Sequence, residues 1–256
     1  MPSQSLLGSQ PALCILSDVH IGADGHAGEE LGQTLEWLRR NSQVQLFLAG
    51  DLADMGLPVN GDKAANAKIL GQTETPTDQI LAVKKTFAPF ADRIVGFVGG
   101  NHEARGVAAA MIDVSAILAN ALGVPMYVGA AAIRFRWGRD HQAVGVIGHG
   151  RSGGANYWRE FQAKLLPLYP DADFYSLGHT HHLASKEIAG LRLDSNGDEV
   201  IRRQYFIRSG NYMRRSGSAY AQEAMYAPLP QGSPIVWFRS DGTVDPDVET
   251  LRYWSL

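Results

Sequence analysis

Short unbroken apolar runs punctuate this chain at intervals, separated by amphipathic or polar stretches. Ala12-Leu13-Cys14-Ile15-Leu16 is the first. It is too short for a helix and apolar at every position, the pattern of a strand buried on both faces. Val44 to Ala49 and Ile94 to Val98 repeat the pattern. Between the first two, Gly28 to Arg40 places Leu31, Leu35 and Leu38 on one face and two arginines at the C-terminal end, which predicts an amphipathic helix. Residues 57–76 are polar and irregular, read as a connecting loop with a short helix over Asp62 to Leu70, in preference to a lid. Thr77 is expected to cap a helix from Asp78 to Phe87, ended by Pro89. One long Ala-rich helix is expected from Glu103 to Ala121, closed by Gly123 and Pro125.

Strands are further expected at Ala131–Trp137 and Ala143–Ile147 around Gly138-Arg139-Asp140, and at Phe174–Leu177. A helix over Tyr157 to Leu166, ended by Pro167 and Pro170, separates them. Ala184–Ala189, Ile201–Ile207 and Ile235–Phe238 complete the strands, with turns at Asn196-Gly197 and Asp241-Gly242. Strands alternating with helices predict an α/β fold.

Five of the apolar runs end in residues that can do chemistry. Asp18 and His20 lie just past the first and Asp51 past the second. Asn101 and His102 lie past the third, His149 past the strand ending at Ile147, and His179 and His181 past the strand ending at Leu177. Five of the eight histidines fall at these places. Each alone reads as a turn residue or a surface histidine. Together, just past strand ends, they predict one cleft where the strand termini meet.

Composition narrows the class. Hydrophobic residues make up 45% of 256, enough to bury a sizeable core, and one domain spanning 1–256 is expected. Net charge is −3, so nothing global draws the chain to nucleic acid. The single cysteine, Cys14, lies in an apolar run and reads as a small buried hydrophobe. Met1 to Gln10 lacks a positive n-region and a long apolar core, and no run approaches the roughly 18 apolar residues of a membrane helix. A cytoplasmic protein with no membrane contact is expected.

The cluster offers carboxylate, imidazole and one amide, without thiolate. That donor set suits manganese foremost, and iron, zinc, cobalt or nickel, rather than a thiolate zinc site or an all-oxygen calcium cage. The cluster holds more donors than one tetrahedral ion takes and suits two ions about 4 Å apart.

The ordered blocks Asp18-x-His20, Gly50-Asp51-x-x-Asp54, Gly100-Asn101-His102-Glu103, Gly148-His149 and Gly178-His179-x-His181 resemble the calcineurin-like metallophosphoesterases. The tail, Ser209-Gly210-Asn211-Tyr212 through Tyr226 to Pro230, is similar to compact phage or prophage members. The resemblance implies a four-layer α/β/β/α sandwich with a dinuclear metal site at the strand ends. It implies that one metal takes Asp18, His20, Asp51 and His181, and the other Asp51, Asn101, His149 and His179, with Asp51 as the bridge. It further implies in-line attack of a metal-held hydroxide on a small phosphoester. His102 would be the non-ligand histidine at the leaving-group oxygen, and Asp54 the acid that orients it.

Departures from the family pattern bear on the substrate. The protein-phosphatase branch carries arginine after the Asp54 equivalent and before the Gly-Asn-His-Glu block, where this chain has Met55 and Gly99. Without that pair to clamp a dianionic monoester, a phosphodiester is the expected substrate, with Arg151, Arg208 and Arg214 as candidates for a replacement clamp. The alternative is a DNA nuclease, for which Arg202 to Arg215, with Tyr205, Phe206 and Tyr212, would be the binding strip. Residues 186–215 hold seven positive and four negative side chains, and the strip is read as a solvated strand face instead. A non-catalytic protein-binding scaffold is a remote third reading, because such relatives usually lose ligands and this chain keeps them.

Overall fold

The computed structural model describes residues 1–6, 11–57, 74–151, 161–193, 196–216 and 227–254. The chain begins with β1 (Ser3–Ser5), β2 (Ala12–Leu16), α1 (Gly28–Arg40) and β3 (Val44–Leu48). Next come α2 (Pro76–Phe87), β4 (Ile94–Val98), α3 (Ala104–Ala110), α4 (Val114–Leu122) and β5 (Met126–Tyr127). Then follow β6 (Ala130–Trp137), β7 (His141–Gly148), β8 (Phe174–Leu177), β9 (Leu183–Leu193) and β10 (Glu199–Ser209). β11 (Gln231–Gly232), β12 (Ile235–Phe238), β13 (Val244–Asp247) and β14 (Arg252–Tyr253) end it.

Two six-stranded sheets organise these elements. One runs β13-β12-β2-β3-β4-β5 and the other β1-β6-β7-β8-β10-β9. β2, β3, β4 and β5 pair in parallel, so Leu16, Leu48 and Val98 end on the same edge. β7 and β8 also pair in parallel, so Gly148 and Leu177 sit opposite each other. The candidate ligands therefore sit at the ends of two sheets, not one.

The burial pattern explains the continuous apolar runs. β2 and β4 are buried at every position. Leu13, Ile15, Phe47, Val98 and Phe238 face Phe135, Phe174 and Ile207 from the other sheet, forming the core between the sheets. Cys14, Leu16, Leu46 and Leu48 point the other way and meet Leu31, Leu35 and Leu38 of α1 and Leu118 of α4. A third cluster, with Phe161, Tyr175 and Phe206, covers the outer face of the second sheet. Each large apolar side chain so buried stabilises the fold by about 1.5–3 kcal/mol. Both sheets with flanking helices give the four-layer α/β/β/α sandwich.

Several expectations are corrected. The helix expected over Glu103 to Ala121 is two helices, because Met111 turns left-handed (φ 55°) and closes α3, and Asp113 then caps α4 by accepting from Ala116 N at 2.9 Å. Alanine content alone could not show that break. The second helix begins at Pro76, not Asp78, and its cap is Thr75, whose hydroxyl accepts from Asp78 N; the proline at the first position suits a helix start. The hairpin strands are longer than expected, Leu183–Leu193 against Glu199–Ser209, because the backbone ladder continues past the apolar core. Of the helix expected over 157–166, residues 157–160 lie outside the described residues. Phe161–Leu165 is a π-helical turn, and a helical turn at Leu166–Leu168 continues through Pro167. The helix over 62–70, and with it most of the 57–76 loop, lies outside the described residues, as does Tyr226.

Candidate metal centre

The turns beyond the strands bring the polar residues together. His179 N donates to both carboxylate oxygens of Asp18, at 3.1 and 2.9 Å, which ties the turn after β8 to the turn after β2. His102 N donates to Asp51 Oδ1 at 2.8 Å, tying the turn after β4 to the turn after β3. These approaches need glycine. A Cβ at Gly100 would lie 2.1 Å from Asp51 Oδ1, and one at Gly178 would lie 2.7 Å from Asp18 Oδ2.

The backbone is strained where the candidate ligands sit. Among the described residues, seven non-glycine residues have positive φ, and five of them are Asp18, His20, Asp51, His179 and His181. A left-handed residue with a Cβ costs about 1–2 kcal/mol, and such strain gathers at functional sites.

Two groups of side chains can each hold an ion, Asp18 with His20 and His181, and Asp51 with His149 and His179. His181 Nε2 is 3.3 Å from Asp18 Oδ1 and 3.3 Å from His20 Nε2. His149 Nε2 is 3.1 Å from Asp51 Oδ2, and His20 Nε2 is 3.9 Å from that same oxygen, so Asp51 Oδ2 lies between the groups. Asn101 Oδ1 lies 3.0 Å from His149 Nε2 and 2.8 Å from His179 Nδ1.

The lone pairs face inward, which is the arrangement a metal pair needs. His149 Nδ1 donates to the Ala49 carbonyl at 2.8 Å, which aims Nε2 at the cleft beside Asp51 and, once unprotonated, frees its lone pair for a metal. His20 Nδ1 donates to Asp54 Oδ1 at 3.0 Å, again leaving Nε2 inward. Asp51 Oδ1 is occupied by the His102 amide, leaving Oδ2 for the cleft. The donors fit two divalent ions.

His102 also lies 3.9 Å from Asp51 Oδ2 and forms a third group with His20 and Asp51. Its nitrogens are otherwise engaged: Nδ1 donates to the Asp54 carbonyl at 2.6 Å, and Nε2 is 3.0 Å from Arg105 Nη2. Asp54 Oδ1 lies 3.0 Å from Nδ1 of His102 and of His20 alike. One buried carboxylate thus serves both imidazoles.

Electrostatics follow from this crowding. Burial would raise the Asp18 carboxyl, but His149 and His181 outweigh it and bring it down to about 2. Asp51 behaves likewise, held well below its usual range by His149 and His102 against the effect of burial. Burial would lower His149, yet Asp51 and Asp18 carry it up to about 10. His20 goes the other way, down to about 4, through burial and then the neighbouring His102.

The candidate arginines fall elsewhere. Arg214 grips Glu30, with Nη2 donating to both carboxylate oxygens at 2.8 Å, and reaches Glu29 at 3.2 Å. Arg208 is buried at the end of β10, and Arg151 is exposed two residues beyond His149. Phe206 and Tyr212 are buried, and Arg202 and Arg203 face Asp171 and Glu187.

Sequence reasoning missed four contributors. Glu103 is fully buried and accepts from the amides of Asp51, Leu52, Ala53 and Gly100 at 2.7–3.1 Å, fixing both turns at once. Burial and the nearby Asp51 raise its carboxyl. Ser17 donates to Asp18 Oδ2 at 2.5 Å, and Asn211 donates to the His181 carbonyl at 2.7 Å. Arg105 stacks its donors on His102; its place three residues on, at a helix start, was the available signal.

A family model described as calcineurin-like phosphoesterase matches residues 12–183. No curated protein matches the chain. Among solved structures, a predicted phosphoesterase of Streptococcus pneumoniae is 12% identical, covering 97% of this chain and 95% of that one, with a TM-score of 0.41. The calcineurin-like phosphoesterase YfkN of Bacillus subtilis is 10% identical, covering 95% and 91%, with a TM-score of 0.42. Zinc-complexed Vps29 of Entamoeba histolytica is 15% identical, covering 92% and 97%, with a TM-score of 0.40.

Proposed function

The chain belongs to the calcineurin-like phosphoesterases, and from that membership we propose that it is a cytoplasmic two-metal hydrolase of a small phosphodiester. The observation that carries the reading is the pair of ligand groups meeting at Asp51, with His102 held beside them. Asp18, His20, Asp51 and His181 would hold one ion, and Asp51, Asn101, His149 and His179 the other, with manganese the metal proposed for both. When bound, the ions neutralise phosphoryl oxygens and lower the pKa of the attacking water.

The chain's own residues do the rest. Asp51 offers its free oxygen to both groups, since its other oxygen is fixed by the His102 amide. Asp54 and the Asp54 carbonyl hold the His102 ring, and its Nε2 lies 3.9 Å from Asp51 Oδ2 and 3.0 Å from Arg105 Nη2, the contact an incoming phosphoester would displace. From there His102 passes a proton or hydrogen bond to the departing alkoxide.

The substrate class rests on what lines the cleft. Met55 is buried and left-handed, and Gly99 is pressed against Ser115, so neither position supplies the paired arginines that hold a dianionic monoester. A singly charged diester needs less compensation. A nuclease is less favoured, because Phe206 and Tyr212 are buried and offer no stacking surface, and the neighbouring arginines are paired.

The test is hydrolysis, with Mn²⁺, of bis-p-nitrophenyl phosphate, p-nitrophenyl phosphate, cyclic nucleotides and single-stranded DNA. The diester is expected to turn over faster than the monoester, and the reverse order overturns the assignment.

A further inference from the structure

We infer that Arg105 is the anion clamp of this cleft, binding the phosphoryl oxygens of the diester; this rests on the diesterase reading above. Arg105 lies in the first turn of α3, three residues after His102, and its amide donates to the His102 carbonyl at 3.1 Å, which brings the two side chains together. Its Nη1 donates to the Asp54 carbonyl at 3.0 Å and lies 2.9 Å from His102 Nδ1, while Nη2 lies 3.0 Å from His102 Nε2. The guanidinium therefore covers the edge of the ring assigned to the leaving group.

The charge on Arg105 is unmatched there. Its contacts are a carbonyl oxygen and an imidazole, and among the described residues no carboxylate comes within ion-pair distance of it. The arginines at 202, 203, 214, 239 and 252 each face an Asp or Glu. A guanidinium presents five N–H donors, and these contacts use only the two terminal nitrogens. The side chain is half-buried, so its remaining donors are open to a ligand in the cleft.

A planar fork of donors matches two oxygens of a phosphoryl group. One guanidinium also matches the single negative charge of a diester, where the protein-phosphatase branch brings two. Arg214 cannot take this part, because Glu29 and Glu30 already hold it.

Arg105→Gln keeps a donor for the Asp54 carbonyl and removes the charge; Arg105→Lys keeps the charge and removes the fork. Three readouts apply: binding of inorganic phosphate by calorimetry, KM and kcat for bis-p-nitrophenyl phosphate, and bound metal per chain. Arg105→Gln is expected to weaken phosphate binding roughly tenfold or more, raise KM by a similar factor and leave metal content unchanged, with Arg105→Lys recovering part of both. Phosphate affinity and KM within twofold of the parent in Arg105→Gln overturn the inference, as does loss of metal in both variants, which would make Arg105 a structural prop. A parent protein that hydrolyses no diester with metal bound sinks the diesterase reading itself. A parent that does so beside an unaltered Arg105→Gln variant sinks the clamp alone.

Discussion

Asp51 Oδ2 and His102 Nε2 lie 3.9 Å apart, and the duties proposed for them are separable, so substituting each residue should give a different phenotype. Asp51→Ala removes the oxygen shared by both ligand groups and should lose metal and turnover together. His102→Ala should lower kcat by about 10²–10⁴ while metal content stays near normal. Metal retained by Asp51→Ala contradicts the bridge, and metal lost by His102→Ala contradicts its place outside the ligand set. The raised His149 imidazole gives a pH dependence with a definite sign. In the metal-free protein its folded value, about 10, lies above its ordinary value of about 6.5. Its contribution to stability is therefore fully present below pH ~6.5 and is lost as pH rises through about 10. Metal requires the unprotonated ring, so metal uptake near pH 7.5 should release a proton and tighten as pH rises towards the folded value. Calorimetry in buffers of different ionisation enthalpy measures the proton, and uptake with none released contradicts the assignment. The candidate ligands could be picked out in the sequence because Asp, His and Asn are conspicuous just past apolar runs. Glu103 was not, since its task is set by four amides arriving from two separate turns. The left-handed backbone at five candidate ligands is only weakly written in residue type, because Asp and His are enriched in that conformation without requiring it.

At the scale of elements, the break between α3 and α4 is the feature most open to test. Met111 is left-handed and exposed, and no core contact offsets its conformational cost. Met111→Gly should relieve about 1 kcal/mol of strain, reduced in part by the greater freedom glycine gives the unfolded chain. The thermal midpoint should rise by about 1–2 °C, measured by circular dichroism, and a lower midpoint contradicts the strain. By contrast, Leu118→Ala in α4 deletes a fully buried side chain against the first sheet and should cost about 2–5 kcal/mol. Apolar strands and the amphipathic α1 could be read directly, since burial on both faces or one face writes a period into the sequence. Short edge elements such as β1, β5 and β14 could not, because two or three residues carry no period.

For the whole molecule, the α/β alternation was legible, but the division into two sheets depends on pairings far apart in sequence. β1 lies beside β6, and β12 returns to β2 across most of the chain. That division matters for the proposed function, because each sheet's end contributes its own candidate ligands: Asp18, His20, Asp51 and Asn101 from one, His149, His179 and His181 from the other. The proposed two-metal centre thus spans the seam between the sheets, and the turns are tied across it by the His179 amide on Asp18 and by His149 on Asp51. Among the described residues no helix is long and apolar enough to cross a membrane. The measurement that bears most directly on the account is a titration of metal-free protein with Mn²⁺, following bound metal per chain alongside bis-p-nitrophenyl phosphate hydrolysis. Two ions should bind per chain, with turnover appearing as the second site fills; full turnover without metal, or at one ion per chain, would contradict the shared-carboxylate centre.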